Sequence, residues 1–239
     1  MRRAAIVVLL LGLALPYPGR AEITREAPRV EDTGYTLQKG HWKIGIRTSS
    51  YGITDRLQVD SALLLDFVVL NVGLKYRLVD APNLSVSATA WGGFAPIVLL
   101  LRGNLMGGTL GLDASMPVAE RVAIHLSANW NVWAFSSFNP ELTIGNARSG
   151  RFSWFGLRAT GEYVFQPRHA FFLMVGTPTS WVLGIGDTAH DFDALTSAEV
   201  MAGYQYSPGG FNVRVDLGVG PSLLTGIGPR LGVDFYYRF

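Results

Sequence analysis

The chain alternates: apolar residues repeat at every second position, with polar, small or charged residues between them, over stretch after stretch. Phe211, Val213, Val215, Leu217 and Val219 interleave with Asn212, Arg214, Asp216 and Gly218. Val122, Ile124, Leu126, Ala128, Trp130 and Val132 interleave with Ala123, His125, Ser127, Asn129, Asn131 and Trp133, and residues 155–165 repeat the pattern. A period of two is that of a strand with one face in an apolar medium and the other in a polar one. Such strands are predicted near 42–50, 57–67, 71–79, 84–93, 105–117, 122–135, 152–165, 170–182, 196–206, 211–220 and 228–239. Several run to about 9–13 residues, which suits a tilted bilayer crossing of about 9–11 better than the mode of about 5–6 in soluble sheets.

The connections sort into two kinds. Asp80-Ala81-Pro82-Asn83, Ala119-Glu120-Arg121, Gln166-Pro167-Arg168-His169 and Ser207-Pro208-Gly209-Gly210 are tight, whereas 94–104, 136–151, 184–194 and 221–227 are longer. Membrane barrels pair short turns at one rim with long loops at the other. Aromatics gather at the tight-turn ends: Phe165 with Phe171 and Phe172, Tyr206 with Phe211, and Phe235, Tyr236, Tyr237 and Phe239, as expected of an interfacial girdle. Trp91, Trp130, Trp133, Trp154 and Trp181 are expected toward the opposite ends.

These features resemble those of bacterial outer-membrane β-barrels, including uncharacterised porin-like ones, over about residues 35–239. In that family a final strand ending in Phe is read by the barrel assembly machinery, and Tyr237 and Phe239 match its last hydrophobic positions. Asp234 stands where the family pattern has Gly, and Gly232 comes two residues early. The resemblance implies an all-β, antiparallel transmembrane barrel in a Gram-negative-type outer membrane, with lipid, the assembly machinery and small solutes as partners. Eleven predicted strands conflict with the even number usual in single-chain barrels. A twelfth is expected around 33–38, turned by Lys39-Gly40, with ten strands as the alternative.

Composition supports export. Residues 1–21 carry Arg2 and Arg3, an apolar core from Ala4 to Leu15, the breakers Pro16 and Pro18, and the small-residue step Gly19-Arg20-Ala21, the anatomy of a secretory signal. Removing Arg2, Arg3 and Arg20 with that segment takes Lys+Arg from 20 to 17 against Asp+Glu 18, a net charge of −1, which argues against nucleic acid as a partner. With Cys 0, disulfide scaffolds, cysteine-held metals and thiol catalysis are excluded. No cofactor is implied. Residues 22–40 read as a polar periplasmic lead, either disordered or threaded into the lumen, or as the short first strand, and 41–239 as the barrel. Pro28 opposes a regular helix in the lead.

Parity assigns Lys43, Arg47, Asp60, Asp66, Lys75, Arg77, Asp113, His125, Arg158, Glu162, Glu199, Arg214, Asp216, Asp234 and Arg238 to the lumen, since Arg or Lys facing mid-bilayer costs about 2–4 kcal/mol. Mixed signs allow either paired charges in a narrow interior or a wetted channel with weak selectivity. Three readings of function follow: a diffusion channel or occluded barrel, a lipid acyl hydrolase, and a surface binder working through its outer loops. The hydrolase reading rests on His125-Leu126-Ser127, a base and a hydroxyl on one strand face, with Glu162 or Asp113 as the orienting acid. Over about five residues it resembles the His-any-Ser-Asn of outer-membrane lipid A deacylases, although Ala128 intervenes before Asn129. Asp187, Asp191 and Asp193 in one loop are candidate ligands for a divalent cation, without the ordered spacing of an EF-hand.

Overall fold

The structure is a computed structural model and describes residues 29, 32–62, 69–95, 103–137, 149–185, 188–192, 198–222 and 226–239, with side chains described outside 178–197 and 221–227. The proposed signal segment 1–21, Asp66, Asp187 and Asp193 lie outside these residues, as does the side chain of Asp191. No helix among the described residues is long and apolar enough to cross a membrane.

Among the described residues thirteen strands form one antiparallel sheet: β1 (Trp42–Gly45), β2 (Ser49–Gly52), β3 (Leu57–Ser61), β4 (Leu70–Ala81), β5 (Leu84–Phe94), β6 (Gly103–Ala119), β7 (Val122–Ser137), β8 (Ser149–Gln166), β9 (His169–Ile185), β10 (Thr188–Phe192), β11 (Glu199–Tyr206), β12 (Phe211–Ser222) and β13 (Gly226–Arg238). The ring closes where β1 pairs with β13, Lys43 opposite Arg238. β10 and β11 pair with the same edge of β9, β10 against 181–185 and β11 against 169–176. They occupy one wall position in succession, so the closed barrel has twelve strands.

The twelfth strand does not come from 33–38, which carries no strand, but from the predicted strand 42–50, which divides into β1 and β2. Gly45 explains the division: a Cβ there would stand 2.8 Å from the Thr48 carbonyl oxygen and 2.9 Å from the Tyr236 Cβ. Only a bare backbone lets the chain fold back that close to β13. Among the described residues β1 to β3 have four or five residues each, whereas β4 has 12 and β9 has 17.

Outside, the wall is apolar. Val72, Leu74, Leu110, Leu112, Leu126, Trp130, Leu173, Val175, Leu217 and Val219 are all exposed, while the residues alternating with them are buried or half-buried in the ring. A soluble barrel has the opposite arrangement, and apolar surface this extensive requires lipid against it. The molecule therefore spans a membrane. At the lower end, where Phe239 lies, Phe165, His169, Phe171, Tyr204 and Tyr206 cluster on the outer face, with Phe165 stacked on Phe171 at 4.8 Å and His169 bonded to the Tyr204 hydroxyl at 2.6 Å. Two residues assigned to this girdle turn inward instead. Phe172 packs with Val164 and Ala170, and the Tyr236 hydroxyl accepts from Gln205 Nε2 at 2.6 Å. Adjacent residues on a strand face opposite sides, so Phe171-Phe172 and Tyr236-Tyr237 can each give only one ring to the girdle.

Candidate functional site: a polar lumen and the segment that fills its lower half

Lys43, Asp60, Lys75, Arg77, Asp113, His125, Glu162, Arg214, Asp216 and Asp234 are all buried, and Arg158 and Glu199 are half-buried higher up. They are mostly joined. Lys75 meets Asp113 at 3.5 Å, Arg214 meets Asp216 at 2.8 Å, and Arg158 bridges Glu199 at 3.1 Å and also Asp32. Arg47 sits in the β1–β2 turn, half exposed, with its guanidinium 3.8 Å from Asp216. Charge pairs of this kind tie nearby strands together and cancel the field an ion would otherwise meet.

Residues 32–38 pass through the lower half of the interior as strandless chain, bent at 32–34, and Thr33, Tyr35, Thr36 and Leu37 are buried there. The segment is held by polar contacts. The Gly34 N–H donates to Ser115 Oγ at 2.7 Å, and its carbonyl accepts from both Ser85 Oγ and Ser87 Oγ at 2.7 Å. Thr36 Oγ1 donates to the Asp55 carbonyl at 2.8 Å and accepts from Arg77 Nε at 3.1 Å, and the Leu37 N–H donates to Gln58 Oε1 at 2.8 Å. Upstream, Arg29 reaches Glu162 at 3.1 Å. Backbone groups that a strand would satisfy through a ladder are satisfied here by lumen side chains, which removes the drive for 33–38 to join the sheet. Gly34 is required by the fit, since a Cβ would lie 2.0 Å from the Ser85 carbonyl oxygen.

The His125 arrangement differs from the expected one. Its Nδ1 lies 2.8 Å from Ser115 Oγ on β6 and its Nε2 3.1 Å from Glu162 on β8, while Ser127 Oγ accepts from Asn129 Nδ2 at 2.8 Å. Ser127 is thus not the hydroxyl paired with the imidazole. Cross-strand register decides this: His125 stands opposite Ser115 and Thr160, whereas Ser127 stands opposite Asp113 and Arg158. The proton assignment giving each group one role runs from Gly34 N–H to Ser115, Ser115 O–H to His125 Nδ1, and His125 Nε2–H to Glu162. Tyr35 lies edge-on over His125, 6.1 Å between ring centroids. The serine, histidine and glutamate are all buried beneath the segment, so the triad anchors it and is closed to an acyl substrate.

Above the segment lies a cavity of about 540 Å³. Tyr35, Leu37 and Asp32 form part of its floor, and Thr89, Trp91, Thr109, Asn129, Asn131 and Trp154 form one side. The ring at Trp91 lies over Gly73, where a Cβ would meet three indole atoms at 2.5–2.8 Å, and Trp133 covers Gly107 in the same way. Trp154 stacks on Phe152 at 5.3 Å and 5°. Of the tryptophans assigned to the upper ends as a group, Trp130 faces out, 53% exposed. Trp91, Trp133 and Trp154 are half-buried on the inner face, and the side chain of Trp181 lies outside the described residues. The signal was present in the alternation: Ser85, Ser87, Thr89 and Trp91 share one parity, as do His125, Ser127, Asn129, Asn131 and Trp133. Among the described residues no group of three or more His, Cys, Asp or Glu is placed to hold a metal ion. Tyr237 and Phe239 lie on the outer face of the lower rim.

No protein-family model matches the chain, and no curated protein matches its sequence. The chain is similar in fold to several solved structures. They include the NanC porin (TM-score 0.48, 9% identity, 83% of this chain and 95% of that one) and the Pseudomonas putida toluene transporter TodX (0.40, 7%, 83% and 75%). An outer-membrane channel from Pseudomonas putida F1 gives 0.33 and 10%, over 94% of this chain and 98% of that one.

Proposed function

We propose that this chain is an outer-membrane channel for small solutes, held shut by its own residues 32–38. The observation that carries the reading is the pairing of a polar cavity of about 540 Å³ with a segment beneath it that is fixed by hydrogen bonds and ion pairs to the lumen wall. Water entering the lumen can replace such contacts one for one, each being worth only about 0.5–1.5 kcal/mol net. A purely structural interior would be expected to close with side chains, as β8, β9 and β13 do around Phe172 and Tyr236. In this reading the lower rim faces the periplasm, and Tyr237 and Phe239 serve insertion through the assembly machinery. The hydrolase reading has weaker support, because both ring nitrogens of His125 are engaged under the segment.

The test is solute flux into liposomes carrying the refolded protein. Wild type is expected to admit urea slowly. Gly34→Val, whose added carbon atoms collide with the Ser85 backbone, should raise the rate by about tenfold or more, the effect of shifting the closed state by about 1.4 kcal/mol. Equal rates from two equally heat-modifiable, folded proteins would reject the reading.

A further inference from the structure

We propose that the cavity above the segment binds a small neutral saccharide. This names the solute class of the channel proposed above, and so rests on that reading. Three observations converge on it.

The first is aromatic. Trp91 lies over the Gly73 backbone and Trp154 over Phe152, and both border the cavity. An indole face is apolar in area but carries a negative quadrupole, and it suits the slightly positive C–H face of a pyranose. The glycine at position 73 is what lets the ring lie against the wall rather than across the lumen.

The second is the polar complement. Thr89, Thr109, Asn129 and Asn131 supply neutral hydroxyl and amide groups beside those rings. Below them Asp113, 3% exposed, faces Lys75 through its Oδ2. Thr109 already donates to Asn131 Oδ1 and Asn129 to Ser127 Oγ, so an aromatic hydrocarbon would desolvate the hydrogen-bonding capacity these groups have left, at a cost of about 1–3 kcal/mol for each group left unsatisfied.

The third is charge. Arg158 is bridged to Asp32 and Glu199, and Lys75 to Asp113. An ionic solute would have to break a pair to gain one, whereas an uncharged solute leaves the pairs intact. The volume falls within the range of about 300–1,000 Å³ usual for small-molecule sites.

Calorimetric titration of the folded wild type with maltose, in a detergent without a sugar headgroup, tests the proposal. Weak binding, of about millimolar affinity, is expected, falling roughly tenfold in Trp91→Ala. Gly73→Ala keeps the indole but places a carbon 2.5 Å from it, and should weaken binding in the same direction. Heat modifiability establishes that each variant is folded. If maltose does not bind while urea still passes Gly34→Val, the saccharide assignment fails and the channel stands. Preferential binding of succinate or lysine also overturns the assignment. Loss of both maltose binding and flux overturns both.

Discussion

Among the described residues Arg29 holds 32–38 from upstream through one partner on the wall, Glu162, which keeps a second partner in His125. Arg29→Ala therefore weakens the segment's anchorage without stripping the wall of its network. We expect more frequent channel openings in planar bilayers, by roughly three- to tenfold for about 1 kcal/mol lost, with the barrel's thermal unfolding unchanged. A lowered unfolding temperature with unchanged openings would assign Arg29 to the wall instead. Glu162→Gln should act more strongly, because it weakens the contacts to Arg29 and His125 together. At this scale the sequence was half legible. Parity alone places Lys75, Asp113, His125 and Glu162 on the inner face, since a strand offers only two. It could not pair His125 with Ser115 rather than Ser127, because that depends on the register between β6 and β7.

The element that closes the ring is, with β2, the shortest among the described residues. β1 has four residues, and its ladder to β13 is extended by the Trp42 N–H donating to the Phe239 carbonyl at 2.8 Å and the Phe239 N–H donating to the Trp42 carbonyl at 3.1 Å. Deleting Phe239 removes both hydrogen bonds as well as the exposed ring, so it should sharply reduce folded, heat-modifiable protein. Phe239→Ala keeps the backbone bonds and loses only the ring. If the ring is an insertion signal, this variant should refold normally in vitro yet reach the membrane poorly in cells; normal membrane levels would contradict that role. The long strands were readable from alternation and turn chemistry because each crosses a full bilayer thickness. The β1–β2 hairpin was not, because its turn at Ile46–Thr48 breaks the period over only three residues and depends on how closely Gly45 approaches β13.

As a whole the molecule is a polar tube with an apolar exterior and a length of its own chain lodged in the lower half. The barrel follows from pattern, since a closed ring is the one arrangement of such strands that leaves no backbone edge in lipid. The lodged segment was visible only as a polar lead with two possible fates. Its sequence, Asp32-Thr-Gly-Tyr-Thr-Leu-Gln38, has strand-like alternation, and the lumen serines and Gln58 that claim its backbone come from distant strands. The absence of cysteine permits a direct test of its position. Thr36→Cys in the folded barrel, exposed to a membrane-impermeant maleimide, should label far more slowly than in the unfolded chain, because position 36 is fully buried. Adding Gly34→Val should restore fast labelling. Fast labelling of the single variant in a folded barrel would show that the segment does not occupy the lumen, and would contradict the account.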